Sequence, residues 1–422
     1  MKKNFLTVLL LSSTVAFSQE KKQRDPYQFA HTYFGIETEF LPQSATFTTL
    51  NSGGTFDTKK LPSFGSARFV VGGTHFWDHA DFYISIPVLE FALNNSKDAS
   101  ISNGVLTGFR YFPLKIKPNA IRPFIGTGFG GTDFSAKGSE GEGPTDNNRQ
   151  WYFEGGLSYR YKGSKLFDLG VRYFNNKSYN YANSRTTFEK VDLNQFSIMV
   201  SYKRLFDFTQ SYGKDEMKKF VAKAHDALEK ENGLSTFSFA AGLSYTIPLE
   251  PIEFSERTPF LNQEATQNFN LEIGIGYYFH KQDAAVRLSY RPLQQKETAY
   301  GYTSELKTNS LAFEAFKFIG NYHGFVPFVG PYVGLNNYNY NEIDRGSEVV
   351  DFTENKLAYG LVFGWDIRIS DVDYLLLRTN LRFTPDLNYK KKRLSFTNNQ
   401  IEFNFIQVVF YPERMKITKK LR

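Results

Sequence analysis

The feature that most constrains the fold of this chain is a series of short segments in which apolar and polar residues alternate. An alternation with a period of two is the pattern of a β-strand with one apolar face. Up to sixteen such strands are predicted, in two sets of eight. The first set covers residues 30–41, 66–77, 81–92, 101–112, 121–131, 149–162, 165–175 and 192–206. The second set covers residues 234–247, 268–280, 283–292, 308–319, 324–336, 355–369, 372–384 and 399–411.

The connections between these strands alternate in length. Long polar loops are predicted at residues 42–65, 93–100, 132–148, 176–191, 248–267, 293–307, 337–354 and 385–398. Short connections are predicted at residues 78–80, 113–120, 162–164, 281–282, 320–323 and 370–371. Tight turns on one side and long loops on the other are typical of a transmembrane antiparallel up-and-down β-barrel. With a periplasmic N-terminus, the turns are periplasmic and the loops extracellular.

The first eighteen residues have the pattern of an export signal. Lys2 and Lys3 precede an apolar run at 5–11, and small residues precede an expected cleavage after Ser18. This pattern predicts a secretory signal peptide at 1–18 and an exported mature chain, located in the outer membrane. The sequence contains no cysteine, which excludes disulfides, thiolate chemistry and attachment of a lipid to cysteine.

Composition favours a membrane protein that crosses with strands. Aromatic residues make up 17% of the chain, yet no stretch after the signal approaches the roughly 20 apolar residues of a membrane helix. A closed barrel is then the structure that satisfies the backbone in lipid. The net charge of +7 is mild and dispersed, which argues against nucleic acid as a partner.

A short motif recurs in the two sets of strands. Residues 121–130 and 325–334 each contain a proline, an aromatic residue and spaced glycines, on the fifth strand of their set. The matched positions are Pro123, Phe124, Gly126 and Gly130 in the first copy and Pro327, Phe328, Gly330 and Gly334 in the second. The motif resembles the fifth strand of eight-stranded barrels in the OmpA-like and OmpW-like outer-membrane superfamily, common in Bacteroidota. The resemblance implies an internally duplicated outer-membrane barrel and no particular activity.

An outer-membrane barrel contacts outer-membrane lipid and lipopolysaccharide, and the barrel-assembly machinery inserts it. In this superfamily an aromatic residue usually ends the chain. Here Phe410 and Tyr411 are followed by a basic tail at 412–422. We therefore expect the machinery to recognise one of these two aromatic residues internally.

Two architectures are compatible with sixteen strands. Two tandem eight-stranded barrels would occupy 19–206 and 234–411, joined by a periplasmic linker at 207–233. One sixteen-stranded barrel would pair strand 192–206 with strand 234–247 around a water-filled lumen. The complete repeats and the long linker favour two barrels. Helical spacing of apolar residues predicts a helix within 213–232, which is a spacer, a plug or a helix on the inner leaflet.

Charged residues on the predicted inward faces of the second set form the main candidate site. They are Glu272, Arg287, Arg291, Glu314, Asp366, Arg368, Arg378, Arg382 and Glu402. In a narrow barrel such charges interlock as ion pairs, whereas in a wide barrel they line a channel and set its ion preference. Because two narrow barrels are the favoured architecture, we expect these charges to form ion pairs.

Other patterns carry less chemistry. His75, Asp78, His79 and Asp81 could ligate a metal but fit a polar turn at the membrane interface better, and His323 has no nearby serine partner. Three acidic residues, Glu140, Glu142 and Asp146, lie in a loop that could bind cations, although their irregular spacing favours a solvated loop. We expect no enzymatic activity and no cofactor.

The sequence predicts an integral outer-membrane protein with a structural or surface-binding role through its extracellular loops. The alternative is a passive, porin-like diffusion channel formed by a single sixteen-stranded barrel. No specific ligand is predicted.

Overall fold

The computed structural model describes residues 31–43, 45–50, 55–61, 63–93, 98–115, 117–138, 141–175, 177–206, 214–248, 258–261, 270–322, 324–391 and 394–421. The predicted signal peptide, Glu140 and His323 lie outside these residues. The described chain is mostly β-strand and contains two helices.

The first half of the chain folds into an antiparallel sheet that returns onto itself, here called the N-terminal ring. Its strands and those of two flanking hairpins are β1 (His31–Leu41), β2 (Thr46–Leu50), β3 (Phe56–Lys60), β4 (Ser63–His75), β5 (Ala80–Leu93), β6 (Ala99–Asn103), β7 (Leu106–Tyr111), β8 (Ile121–Gly138), β9 (Gly141–Tyr161), β10 (Lys165–Phe174), β11 (Ser178–Ala182), β12 (Phe188–Asp192) and β13 (Phe196–Phe206). Eight strands pair around the ring in the order β1-β4-β5-β7-β8-β9-β10-β13, and β13 pairs with β1. Strand β6 pairs with β8 beyond the end of β7, so predicted strand 101–112 is divided in two.

The second half of the chain forms a closed eight-stranded barrel, here called the C-terminal barrel. Its strands are β14 (Thr236–Pro248), β15 (Asn270–Phe279), β16 (Ala284–Ala299), β17 (Tyr302–Phe318), β18 (Phe325–Asp344), β19 (Ser347–Ile367), β20 (Leu375–Lys391) and β21 (Leu394–Phe410). They pair in sequence order, and β21 closes the barrel on β14.

These pairings decide between the two predicted architectures. Tyr202 of β13 lies opposite Ile36 of β1, and Val408 of β21 lies opposite Ala241 of β14. A single sixteen-stranded barrel requires β13 to pair with β14, so that alternative is wrong. The predicted count of sixteen strands is not confirmed either, because the described chain contains twenty-one strand segments.

Several predicted loops are continuations of strands. β18 and β19 extend through most of predicted loop 337–354 and are joined at Arg345 and Gly346. β16 and β17 likewise meet at Tyr300 and Gly301 within predicted loop 293–307. The loop interpretation was wrong here because these extensions are rich in residues typical of loops, such as Asn337, Asn339 and Asn341, while the backbone pairing continues. Predicted loops 42–65 and 176–191 contain the hairpins β2–β3 and β11–β12.

The outward face of the C-terminal barrel changes from apolar to polar at one level. Exposed apolar residues on β17, β18 and β19 form a belt that includes Leu311, Phe313, Val329, Val333, Leu335, Leu357, Tyr359, Leu361 and Phe363. Next along these strands, Asn309 lies opposite Asn337, and Asn337 lies opposite Asn355. Asn337 Nδ2 donates to Asn355 Oδ1 at 2.8 Å. These three residues, here called the asparagine row, mark the edge of the apolar belt nearest the strand extensions.

The belt has the height of a bilayer core. Trp365, near the opposite edge, is ten positions from Asn355 along β19. Ten residues of a strand tilted by about 40° rise about 25 Å, the height of the apolar band of membrane barrels. The N-terminal ring carries a similar outward set, with Ile36, Ile121, Ile125, Trp151, Leu169 and Val200 exposed.

Both described helices lie at the end of the C-terminal barrel that carries the short turns, here called the turn end. They are α1 (Asp215–Lys230) and α2 (Pro412–Lys419). Ala224 and Leu228 of α1 are fully buried against Leu234, Val372 and Ile417. Helix α1 therefore packs against the turn end instead of occupying the lumen. Neither described helix combines the length and apolarity needed to cross a bilayer.

The belt can be tested with introduced cysteines, because the chain has none of its own. We expect Asn339→Cys, above the asparagine row, to react with a membrane-impermeant maleimide in vesicles whose exposed face is the long-loop end. Leu361→Cys, in the middle of the belt, should remain unlabelled until the protein is unfolded in sodium dodecyl sulfate. Equal labelling of both variants in intact vesicles would contradict the assignment of the belt.

Candidate functional site

All nine predicted lumen charges lie on inward faces of the C-terminal barrel and are buried. The most exposed of them, Glu402, retains 7% of its accessible surface. A water-filled channel would leave charged side chains open to solvent. The lumen is therefore filled at the level of these residues.

Six of the nine residues form one connected group, here called the central network. Its members are Glu272, Arg287, Arg291, Glu314, Arg382 and Glu402.

Arginine forks connect the carboxylates of the central network across the lumen. Arg287 donates from Nε and Nη2 to Glu314 Oε2 at 2.9 and 2.6 Å, and Nη2 lies 2.9 Å from Glu272 Oε1. Arg291 Nε lies 2.7 Å from Glu272 Oε2, and Arg291 also contacts Glu402. Arg382 donates to Glu402 as well. Burial of these charges is tolerated because each arginine faces carboxylates from more than one strand.

The other three predicted residues form two separate contacts. Arg378 donates from Nε and Nη2 to the two carboxylate oxygens of Asp366 at 2.6 and 2.8 Å. Arg368 lies nearer the turn end, where it donates to Tyr278 at 2.9 Å and to Asp283 at 3.1 Å. Asp283, in the β15–β16 turn, was not predicted.

The filling of the lumen is electrically balanced and layered. The central network has three arginines and three glutamates, and Asp366 and Asp283 balance Arg378 and Arg368. Apolar side chains fill the turn-end side of the lumen, including Tyr278, Phe316, Phe318, Val326, Phe328 and Val362. A second aromatic layer fills the other side, including Tyr332, Tyr338, Tyr340 and Phe352. A balanced ionic layer between two apolar layers fits a structural filling better than an ion-selective constriction.

The N-terminal ring contains a comparable network that sequence analysis missed. Arg110 donates to Glu154 at 2.8 Å and to Asp168 at 3.0 Å, and Arg172 donates to Glu37 at 2.8 and 2.9 Å. All five residues are at most 5% exposed. Glu37, Asp168 and Arg172 alternate with apolar residues in predicted strands 30–41 and 165–175, so the same pattern could have identified them.

The repeated motif occupies equivalent places in the two halves. Strands β8 and β18 are each the fifth strand around their own ring. Phe124 and Phe328 are both buried, the Arg110 guanidinium lies 4.8 Å from the Phe124 ring, and the Arg378 guanidinium lies 5.1 Å from the Phe328 ring.

Two motif glycines permit close approach of neighbouring strands. A Cβ atom at Gly126 would lie 2.6 Å from the carbonyl oxygen of Phe109 on β7. A Cβ atom at Gly330 would lie 1.9 Å from the carbonyl oxygen of Ala315 on β17. Any larger residue would therefore push the fifth strand away from the fourth. Gly130 and Gly334 also have backbone or side-chain neighbours near the position of a Cβ atom.

At the long-loop end, hairpins β2–β3 and β11–β12 cover the N-terminal ring. Their buried side chains join a cluster of Leu41, Phe47, Leu61, Phe64, Ile101, Phe134, Ala136, Tyr179, Tyr181, Val191 and Leu193. The Tyr179 hydroxyl donates to Thr132 O at 2.7 Å, and the Tyr181 hydroxyl donates to Thr48 O at 2.5 Å. The hairpins are thus packed onto the ring as an ordered cover.

The same end of the N-terminal ring is attached to the C-terminal barrel. Arg185 donates to both carboxylate oxygens of Asp344, at 3.1 and 2.6 Å. The Tyr300 hydroxyl donates to Ala182 O, and Phe260 packs with Tyr300 in the same apolar cluster. The hairpin cover together with the strand extensions of the C-terminal barrel is here called the long-loop platform.

Two of the three acidic residues of the predicted cation-binding loop belong to described strand β9. The Glu142 carboxylate pairs with the Lys137 ammonium at 3.0 Å, and the Asp146 side chain lies outside the described residues.

The two halves also meet near the turn end. Phe325 of the barrel packs against His75 and Phe76 of the ring, and Phe82 packs against Trp365. Phe76, Trp77 and Asp78 in this turn all have positive φ, with values of 53°, 56° and 69°. Three consecutive left-handed residues are costly, which indicates that packing across the junction holds this turn.

The four metal candidates of this turn do not face one centre. Asp78 accepts from Thr74 and lies 2.8 Å from His31 Nδ1, whereas Asp81 accepts from Tyr33. His79 Nδ1 lies 2.9 Å from the carbonyl oxygen of Phe112. Their separate partners favour the polar-turn interpretation.

A cavity of about 280 Å³ lies beside the β11–β12 hairpin and is lined by Lys177, Asp192, Asn194 and Phe196, among others. Lys177 is almost completely buried, with its ammonium nitrogen 3.8 Å from the centre of the Phe174 ring. Burial lowers the pKa of Lys177 to about 7, although the nearby Glu39 carboxylate acts in the opposite direction.

The chain matches no protein-family model and no curated protein sequence. Solved structures of outer-membrane proteins are similar to it at low identity. Neisserial surface protein A (NspA) is 13% identical, covering 42% of this chain and 96% of that chain, with a TM-score of 0.29. An outer membrane channel from Pseudomonas putida F1 is 9% identical, covering 90% and 95%, with a TM-score of 0.21. A Pseudomonas aeruginosa FadL homologue is 10% identical, covering 91% and 89%, with a TM-score of 0.19. At TM-scores below 0.5, these likenesses determine neither the function nor the location of this chain.

The central network predicts a large effect of removing one carboxylate. Glu314→Ala leaves Arg287 and Arg382 without a shared buried partner, so we expect the free energy of unfolding in vesicles to fall by about 3–5 kcal/mol. Glu142→Ala, which removes an exposed ion pair with Lys137, should change it by less than about 1 kcal/mol. Similar urea midpoints for the two variants would contradict this account of the network.

The lowered pKa of Lys177 predicts a pH dependence of stability. Between about pH 7 and pH 10 the unfolded chain binds a proton on Lys177 that the folded chain does not, so folded-state stability rises with pH in this window. The expected slope for this group is at most about 1.4 kcal/mol per pH unit. Lys177→Met should remove this contribution, so wild type should gain stability relative to the variant as pH rises from 7 to 9. A constant difference would contradict the prediction.

Proposed function

We propose that this chain is an integral outer-membrane protein with a structural or surface-binding role, built from two filled eight-stranded barrels side by side. The observation that carries this proposal is the apolar belt of bilayer height around a lumen packed with buried, balanced charges. Such a belt suits lipid, and such a lumen does not suit passage of solutes.

In the proposed orientation the turn end faces the periplasm and the long-loop platform faces the cell exterior, as in other membrane barrels. The predicted signal peptide at 1–18 would deliver the chain to the periplasm. Outer-membrane lipid and lipopolysaccharide would surround the belt, after insertion by the barrel-assembly machinery. Phe410, the last residue of β21, would serve as the aromatic end signal.

We also propose that this chain is related to the OmpA-like and OmpW-like barrels of Bacteroidota. This relationship is supported by the shared place of the two motif copies on the fifth strand of each ring. Burial of Phe124 and Phe328, at matched positions of the two motif copies, also supports origin by duplication.

Binding at the cell surface would use the long-loop platform. The platform is ordered before any partner arrives, because hairpin packing and the contact of Arg185 with Asp344 fix its two halves. Preorganisation lowers the entropy lost on association and so favours a binding surface. We propose neither an enzymatic activity nor a cofactor for this chain.

Single-channel conductance separates this function from the channel alternative. We expect the refolded mature chain, reconstituted in planar bilayers, to produce no stable conductance steps. The physical reason is that the ionic layer containing Glu272 and Arg287 and the apolar layer containing Phe328 and Val362 close the lumen.

A porin in the same bilayers provides the positive control, and protease protection of the belt verifies that the chain has inserted. Large, reproducible steps from correctly inserted protein would reject the filled-lumen proposal. Channel activity would then have to pass through a conformation in which the central network is open.

A further inference from the structure

Three residues from distant parts of the chain converge at the turn end of the C-terminal barrel. His225 lies on α1, His280 follows β15, and Asp371 lies in the turn between β19 and β20. One potential ligand atom from each residue lies within 4.8 Å of the other two. His225 Nε2 lies 3.5 Å from Asp371 Oδ2, and the two imidazole centres are 6.3 Å apart.

One of these imidazoles has an unused ring nitrogen. His280 Nδ1 is buried and has no hydrogen-bond partner within the described part of the chain. An unsatisfied buried polar atom is unfavourable, and coordination of a cation would satisfy it. All three side chains are partly exposed to solvent, so an ion can reach them.

The donor set suits a borderline transition-metal ion. Two imidazole nitrogens and one carboxylate oxygen are a known set of three protein ligands for four-coordinate Zn²⁺, whose fourth position is taken by water or another ligand. Metal–ligand bonds of about 2.0–2.1 Å in a tetrahedron place ligand atoms about 3.4 Å apart. Small side-chain rotations would bring the present atoms to that spacing.

Helix α1 carries two more potential ligands near His225. Asp226 and Glu229 have ligand atoms within 4.8 Å of each other and of a ring nitrogen of His225. Glu229 is four residues after His225, so the two side chains lie on one face of the helix. Both carboxylates thus lie near His225, and water can take the fourth position of an ion held by His225, His280 and Asp371.

The backbone that carries these residues is already fixed. Ala224 and Leu228, on either side of His225, are fully buried, and Val372, next to Asp371, belongs to the same cluster. His280 is held by a hydrogen bond from its backbone N–H to Ser235 Oγ at 3.0 Å. The three ligands thus stand on packed elements, as a preorganised metal site requires.

We propose that His225, His280 and Asp371 form a Zn²⁺ site that fastens helix α1 to the turns of the C-terminal barrel. The ion would connect the segment between the two halves of the chain to the end of the second barrel. Zn²⁺ binding would therefore stabilise the folded junction, because the unfolded chain does not bring the three ligands together.

The experiment measures Zn²⁺ binding to the full mature chain, refolded in detergent without a histidine tag, by competition with a chromophoric chelator. We expect one tight site per chain. His225→Ala and His280→Ala should each weaken Zn²⁺ binding at least about 100-fold, since even mutation of a residue that only hydrogen-bonds to a metal ligand reduces affinity about 10–100-fold. With Co²⁺ in place of Zn²⁺, wild type should show the visible absorption of a tetrahedral site, and both variants should lose it.

His79→Ala is the matched control, because His79 lies in a turn of the N-terminal ring outside the cluster. Its Zn²⁺ affinity should equal that of wild type, and circular dichroism should verify that every variant is folded. Zn²⁺ should also slow tryptic cleavage within α1, which is rich in lysine, in wild type and in His79→Ala. Weak binding that His225→Ala and His280→Ala leave unchanged would overturn the proposal.

Discussion

Closure of each ring by backbone hydrogen bonds is the constraint on which the rest of this structure depends. In lipid, backbone N–H and C=O groups find partners only on neighbouring strands, so a strand in the belt cannot remain an edge. β13 returns to β1 and β21 returns to β14, and each half of the chain thereby satisfies its own backbone. Two narrow lumens follow from this pairing instead of one wide lumen.

A ring of eight strands leaves room for side chains but not for a wide aqueous channel. Long arginine and glutamate side chains fill that space, and their charges cancel within it. Such a filling is sensitive to the loss of one member, because the charge left behind stays buried. The same filling argues against porin-like diffusion, the alternative that the sequence alone had left open.

Outside the lipid the strands no longer need an apolar outward face. Above the asparagine row, β18 and β19 continue as polar strands, and the hairpins of the N-terminal ring pack over its end. The molecule therefore presents an ordered platform on one side of the belt. On the other side, α1 and α2 pack against the turns and bring His225 to His280 and Asp371.

Local patterns in the sequence determined which residues face inward. Period-two alternation placed Glu272 inside and Ile273 outside, and helical spacing located α1, because both depend only on neighbours along the chain. The sequence did not indicate that Arg287 meets both Glu272 and Glu314, that Glu37 meets Arg172, or that predicted loops continue as strands. Those features depend on strand register and ring closure, which join residues far apart in sequence. Only the tertiary structure therefore decided the number of lumens, the partners of each charge and the convergence of His225, His280 and Asp371.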